Sequence, residues 1–360
     1  MFILFQILLT FTFVALYALV AVYAERKVSA FIQDRLGPME VGPVGAFQTL
    51  ADIIKLVIKE SIIPSAANPV LFSLAPIVIF VAVFAGFAAI PFSSNLLGAS
   101  IHVGLLYILA IVALDVIGIL MAGWGANNKY ALLGAMRAVA QIISYEIPTA
   151  LVLLASIMMF GTLDLQQIAL HQGIFSPEKI TLWGIWDITE VGGIFAWSVV
   201  RYPHLLIAFA LYFVASLAEC NRAPFDIPEA ESELIAGFHV EYTGFRFAII
   251  FLAEYGKMLL VSMIAVILFF GGWNSILPNI TPSFPLANWT TGEPHTLLAA
   301  LWGIFWILLK GFVLVFVQMW VRWVYPRLRA DQLMSLCWKY LTPAGIVLIV
   351  ISGIWKLMEI

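Results

Sequence analysis

The chain predicts an all-α, polytopic membrane protein of about eight transmembrane helices, and three observations carry that prediction. The hydrophobic share is 63% and mean hydropathy is +1.02, against roughly 45 to 50% apolar residues in soluble domains. Charged residues make up 11% of 360, where soluble folds carry roughly 25%. Apolar runs close to the roughly 20 residues that cross a hydrocarbon core recur from one end of the sequence to the other. Lipid is therefore the solvent for most of the surface, and a water-soluble fold is excluded. The net charge of −3 and pI near 6.0 supply no basic field, so no nucleic acid is expected as a partner.

The apolar runs cluster near 2 to 24, 69 to 91, 102 to 122, 133 to 160, 204 to 219, 245 to 271, 296 to 320 and 341 to 358. The first begins at Met1 with no basic leader and no small-residue cleavage signal after it, so it reads as a retained helix. Orientation follows from the basic residues, because cytosolic connections keep Lys and Arg. Arg26, Lys27, Arg35, Lys55, Lys59, Lys129, Arg137, Arg222, Arg246, Arg322, Arg327, Arg329 and Lys339 all fall in or beside the first, third, fifth and seventh connections. The opposite side holds only Lys179, Arg201 and Lys356. Both termini are thus expected on the non-cytosolic side of a multi-pass protein.

Within the first cytosolic connection, Phe47, Leu50, Ile54, Val57 and Ile58 recur at helical spacing with Asp52, Lys55 and Lys59 on another face. This predicts an amphipathic helix lying along the membrane. On the other side, 161 to 203 carries Trp183, Trp186, Trp197 and Tyr202, a composition suited to the headgroup boundary, with room for a short helix near 191 to 201. The 272 to 295 connection has four prolines and no Lys or Arg, so it is expected to be irregular. No paired broken helices of the inverted-repeat kind are visible, which argues against an autonomous ion carrier.

Polar residues in this setting need a reason. From Glu219 to Arg246 there are six acids (Glu219, Asp226, Glu229, Glu231, Glu233, Glu241) and two arginines, interleaved with Phe225, Ile227, Leu234, Ile235, Phe238 and Tyr242. A solvated acidic face is the ordinary fate of such a run. The apolar content instead implies packing, where desolvation and mutual repulsion disfavour ionisation and let carboxyls exchange protons near neutral pH. Inside the spans, Asp115, Glu146, Glu254, Lys257 and Lys310 should face protein or water, because lipid would be costly. Glu254 and Lys257, three apart, could simply pair. Glu146 has no such neighbour and is the stronger candidate for a proton site. Pro148 frees a backbone carbonyl one turn earlier that a polar path can use. Five scattered histidines and two cysteines, Cys220 and Cys337, match no ligand spacing, so no metal is expected.

Specific motifs then resemble a known family. Glu25-Arg26-Lys27 with Gln33, Arg35, Gly37 and Pro38, followed by Ala51-Asp52, Lys55, Lys59 and Glu60, looks like the start of the H subunit of NADH-quinone oxidoreductase, respiratory complex I. Ala122-Gly123-Trp124, Asn127-Asn128-Lys129-Tyr130, Leu132 to Arg137 and Ser144-Tyr145-Glu146 are similar to its third connection and fourth span. Arg222-Ala223-Pro224-Phe225-Asp226, leading through Glu229-Ala230-Glu231-Ser232-Glu233-Leu234 to Glu241-Tyr242, resembles its most distinctive motif. Lys310, Arg322, Pro326-Arg327, Arg329, Asp331-Gln332 and Trp338-Lys339 resemble its last cytosolic connection. Met39-Glu40 and Ser100-Ile101-His102 depart from the family's usual residues.

The resemblance implies a membrane subunit, in the cell inner membrane, of a proton-translocating quinone reductase. It implies quinone as substrate, no redox cofactor in this chain, and FMN and iron–sulfur clusters in partner subunits of the peripheral arm, with small membrane subunits alongside. Arg26, Arg35, Asp52, Lys55, Arg222, Phe225 and Asp226 would line a quinone tunnel. Glu146, Glu219, Glu229, Glu231, Glu233, Glu254 and Lys310 would serve proton coupling. One membrane domain over 1–360 is expected, with a cytosolic connection at 25–68 and an acidic loop at 218–244 lining the quinone cavity. A related complex with another electron donor (ferredoxin-type or hydrogenase), or a purely structural anchor, are the alternatives.

Overall fold

A computed structural model describes residues 2–184, 186–227, 236–279, 285–293 and 296–358, with side chains from Leu8 onward. The architecture is helical: α1 (Phe2–Ile32), α2 (Gln48–Ile58), α3 (Pro69–Gly86), α4 (Gly104–Val112), α5 (Leu114–Gly125), α6 (Lys129–Phe160), α7 (Pro203–Glu219), α8 (Gly244–Phe269), α9 (Leu297–Val324) and α10 (Thr342–Met358). Among the described residues, seven stretches are long and apolar enough to cross a bilayer, and α7 is an eighth, shorter apolar helix of 17 residues. These are the runs expected from hydropathy. The 102 to 122 run is interrupted at Ala113, whose own dihedrals stay right-handed helical, so α4 and α5 continue as one span. The α10 span begins earlier than expected, at Ala330, and passes through a π-helical turn over Leu336–Leu341.

α8 is the hub. Of its most apolar window 78% is buried, against 22 to 56% for the other six long spans, so polar groups on α8 meet protein and not lipid. It packs on α3 and α9, while α6 is held between α5, α7 and α10. Small residues allow the closest approaches. A side chain at Gly118 would meet Ile79 at 2.5 Å, drawing α5 onto α3, and one at Gly134 would meet Gly237 at 2.8 Å, where the 237–239 turn rests on α6. The outward faces carry exposed Leu, Ile, Val and Phe, such as Val20, Val81, Leu106, Leu301 and Val347.

Two prolines inside helices remove a backbone donor, and in both cases a side chain takes the carbonyl set free. Pro148 of α6 leaves the Ser144 carbonyl, which accepts from the Cys337 thiol at 3.0 Å. Pro76 of α3 leaves the Phe72 carbonyl, which accepts from the Tyr242 hydroxyl at 3.1 Å while the two rings stack at 4.2 Å. The Ser144 carbonyl, offered by the sequence to a polar path, instead ties α6 to the π-helical turn.

The 46 to 60 segment forms the expected amphipathic helix, α2, with Leu50, Ile54, Val57 and Ile58 exposed. Between α1 and α2 the chain turns through Gly45 (φ +74), where any side chain would overlap the Pro38 carbonyl. At the opposite end, a two-stranded hairpin (β1, Thr181–Leu182; β2, Trp186–Asp187) precedes one helical turn at Ser198–Arg201, which answers to the short helix placed near 191 to 201.

Candidate functional site

Charged side chains gather where α1, α7, α8 and α9 meet. Glu25 of α1, 4% exposed, sits at the centre. Arg222, just past the end of α7, donates to its two carboxylate oxygens at 3.0 and 3.2 Å. Arg322 of α9 and the Tyr255 hydroxyl of α8 also donate to it. The Arg222 guanidinium further stacks over the Tyr255 ring at 4.7 Å. Burial works against the Arg222 charge, but the Glu25 carboxylate outweighs it and holds the guanidinium pKa above its ordinary range. Burial pushes the neighbouring Cys220 thiol up to about 12, so it stays protonated.

The loop that carries Arg222 is held from below by one side chain. Gln141 of α6 donates to the Ala218 carbonyl at 2.8 Å, the Phe225 carbonyl at 2.7 Å and Asn221 Oδ1 at 3.2 Å. Phe225 packs its ring 5.6 Å from Tyr145, and the Pro224 carbonyl accepts from the Leu328 amide. Asp226, buried, is paired with Arg327 at 3.2 Å.

Beside this knot lies a cavity of about 200 Å³ lined by Arg222, Asp226, His239, Phe251, Glu254 and Arg322, among others. A second, of about 20 Å³, borders it, since Cys220, Asn221, Ile250 and Glu254 line both. That volume holds about one water. Its polar wall is Asp115, Glu219, Glu254 and Lys257. Lys257 donates to Asp115 at 2.8 Å across helices, so its ion partner is on α5 and not, as the three-residue spacing suggested, on its own helix. The Thr149 hydroxyl donates to the Tyr145 carbonyl at 2.8 Å beside Glu219, and Glu146 lies within electrostatic reach of Lys257, Asp115 and Glu219. Asp115, Glu219 and Glu146 thus share one ammonium, while Glu254 lies in the field of Arg222.

The residues singled out from the sequence fall into three places. Arg222, Asp226 and Glu254 meet at the larger cavity, with Phe225 in the loop beside it, and Glu219 and Glu146 continue inward from the smaller one. Arg26 and Asp52 form a separate, half-exposed pair at 2.5 Å, supported by Gln48, with Lys55 and Arg35 exposed nearby in sequence. Lys310 stands apart from the carboxyls: its ammonium donates to the carbonyls of Phe270, Gly272 and Asn274 and fastens the end of α8 to α9. Glu229, Glu231 and Glu233 lie outside the described residues. Sequence reasoning passed over Glu25, Gln141 and Tyr255 as site residues and gave Asp115 no partner. Glu25 carried a usable signal, as the sole acid of the first apolar helix. Among the described residues no three His, Cys, Asp or Glu side chains are grouped as a metal ion would need.

Residues 5–353 match the family model described as NADH dehydrogenase. The chain is 56% identical over 360 residues, 98% of each chain, to the second NADH-quinone oxidoreductase H subunit of Cytophaga hutchinsonii. The chain belongs to the family of NADH-quinone oxidoreductase H subunits. The H subunit of Chlorobium luteolum is 55% identical over 96% of this chain and 87% of its own, and that of Anaeromyxobacter dehalogenans 43% over 98% and 81%. The resemblance read from Glu25-Arg26-Lys27, the Arg222–Asp226 motif and the last connection therefore extends over nearly the whole length. In this family member the sequence motifs coincide with the geometry: Glu25 and Arg222, from two of them, form the buried ion pair.

Proposed function

We propose that this chain is the membrane subunit of an NADH-quinone oxidoreductase on which the peripheral redox arm docks. It forms the inner part of a quinone passage and couples quinone reduction to proton translocation. The observation that carries this reading is the pair of bordering cavities. The larger reaches the arginine-rich end and the smaller is walled by carboxyls of the membrane helices. At about 200 Å³ the larger cavity falls short of the roughly 300 Å³ of a complete small-molecule site, which fits a headgroup pocket finished by a partner subunit. That partner supplies the electrons from its iron–sulfur cluster, and FMN belongs to the same arm. The half-exposed Arg26–Asp52 pair and the exposed apolar face of α2 fit the lipid end of the passage. The distribution of Lys and Arg supports the charged end facing the cytosol and both termini facing away, in the cell inner membrane.

In this mechanism reduction of quinone removes two protons from its surroundings, and Asp226 and the acidic 228–235 segment respond first. The change in field at Arg222 and Glu254 then shifts how protons are shared among Glu254, Glu219 and Glu146. The shift is bounded by the difference in interaction between the two quinone redox states and these groups. Glu219→Gln and Glu146→Gln in the intact complex test it, with proton pumping in proteoliposomes and quinone reductase activity as readouts. Lowered pumping with normal assembly is expected. Full pumping in both variants would show that these carboxyls carry no protons, and loss of assembly without any other defect would leave only an anchoring role.

A further inference from the structure

At the end of the bundle opposite the carboxyl cluster lies a cavity of about 550 Å³, which the proposed function leaves without a task. Lys179, Arg201 and Lys356 are the Lys and Arg residues expected outside the spans on that side, and all three line it, whereas Lys310 is spent on the 270–274 carbonyls. Insertion empties this side of cations, so the convergence of the three that remain calls for an anion. The acid among the lining residues is Glu178, exposed and 3.7 Å from His171. Among the described residues the wall therefore carries more positive than negative charge.

Arg201 makes the case sharper. It is 8% exposed and has no carboxylate within ion-pair distance among the described residues. Its guanidinium donates to the carbonyls of Thr181 and His171 and to the Tyr202 hydroxyl. Of five N–H groups these bonds occupy three, and a buried guanidinium without a counter-ion is expensive. The walls are the end of α6 (Met159, Phe160), the turn that leads into α7 (Arg201, Tyr202) and the end of α10 (Trp355, Met358), with Trp183 also lining it. That mixture of indole rings, thioethers and cations belongs at the level of lipid headgroups.

We propose that this cavity binds the phosphodiester of an anionic phospholipid. The phosphate sits on Arg201 between Lys179 and Lys356, and the acyl chains leave past Met358 into the bilayer. The lipid so held cements α6, α7 and α10 at the end remote from the quinone chemistry.

The intact complex in nanodiscs of phosphatidylcholine doped with photoactivatable phosphatidylglycerol provides the test. Cross-links read by mass spectrometry should fall on peptides spanning 171–184 and 355–358. Arg201→Gln should lower labelling there by about tenfold, the loss of one charge-assisted hydrogen bond. Lys179→Gln, an exposed residue whose loss leaves folding intact, should lower it by a smaller factor. Equal labelling by photoactivatable phosphatidylcholine would overturn the proposal. Competition by inorganic phosphate would reassign the site to a free anion. Cross-linking of these peptides to an acidic segment of a neighbouring subunit, with no lipid label, would overturn it as well.

Discussion

Glu25 and Glu219 are buried to nearly the same degree, at 4 and 8% exposed, yet their surroundings are opposite in kind. Glu25 receives two guanidinium groups and a tyrosine hydroxyl. Glu219 has the field of one lysine already bonded to Asp115. Depth of burial therefore does not decide what a membrane carboxyl does; the count of committed cations does. A carboxylate tied to two permanent cations has its charge fixed and serves as a joint. Carboxyls that share one ammonium around a water-sized cavity are where a proton can be placed or withdrawn.

Cutting the joint should have the largest consequence. Glu25→Ala strands Arg222 in the interior, and removing one member of a buried pair costs about 3 to 5 kcal/mol. The expected outcome is a severe loss of assembled complex, measured as the yield of co-purified peripheral arm. Arg222→Met placed on top of Glu25→Leu should recover much of that yield, because a well-packed apolar pair replaces a buried ion pair at little cost. If the double variant is as poorly assembled as the single, Glu25 does more than neutralise Arg222.

Glu219→Gln addresses the other side. It keeps the shape but removes the titrating proton, so assembly should be unchanged. Pumping should fall by roughly 100-fold, the low end of what a positioned acid–base group contributes. Should Glu219→Gln instead lower assembly as Glu25→Ala does, the two carboxyls are the same kind of residue and the contrast between them collapses.

What could be read from the sequence follows from the range of the interactions. Hydropathy acts over about 20 neighbours, so the spans were legible, and so was the amphipathic α2 from its helical spacing. Pro148 signalled a free carbonyl, but the thiol that takes it is 193 positions away in the chain. Glu25 meets partners 197, 230 and 297 positions distant, and Lys257 finds Asp115 at a separation of 142. Local spacing offered Lys257 a partner on its own helix instead. The family motifs bridged part of this gap, since Glu25 and Arg222 each stand in one, though a motif does not say which of its residues touch.

A smaller effect is expected at Gln141, which holds the 218–225 backbone rather than carrying charge. Gln141→Leu leaves two buried carbonyls and the Asn221 amide oxygen without this donor, a penalty of about 1 to 3 kcal/mol. Arg222 and Phe225 would then lose their fixed placement beside the cavity. The KM for quinone should rise with kcat less affected, measured in the assembled enzyme. A change in pumping stoichiometry without a change in KM would place Gln141 with the proton groups instead.

The smallest stability effect belongs to Arg26, next to Glu25 in the chain but turned to the other side of α1. Its pair with Asp52 is 42 and 33% exposed, and exposed ion pairs contribute about 0 to 1 kcal/mol. Arg26→Gln should therefore leave assembly and thermal midpoint nearly unchanged, in contrast to its neighbour. Because the pair fastens α2 to α1 where the apolar face of α2 meets lipid, the variant should slow turnover of a long-tailed quinone while a short-tailed analogue reacts at the normal rate. A drop in thermal midpoint comparable to that of Glu25→Ala would mean that the Arg26 pair is held as tightly as the buried one, and that adjacent charges on one helix are not sorted by the side they face.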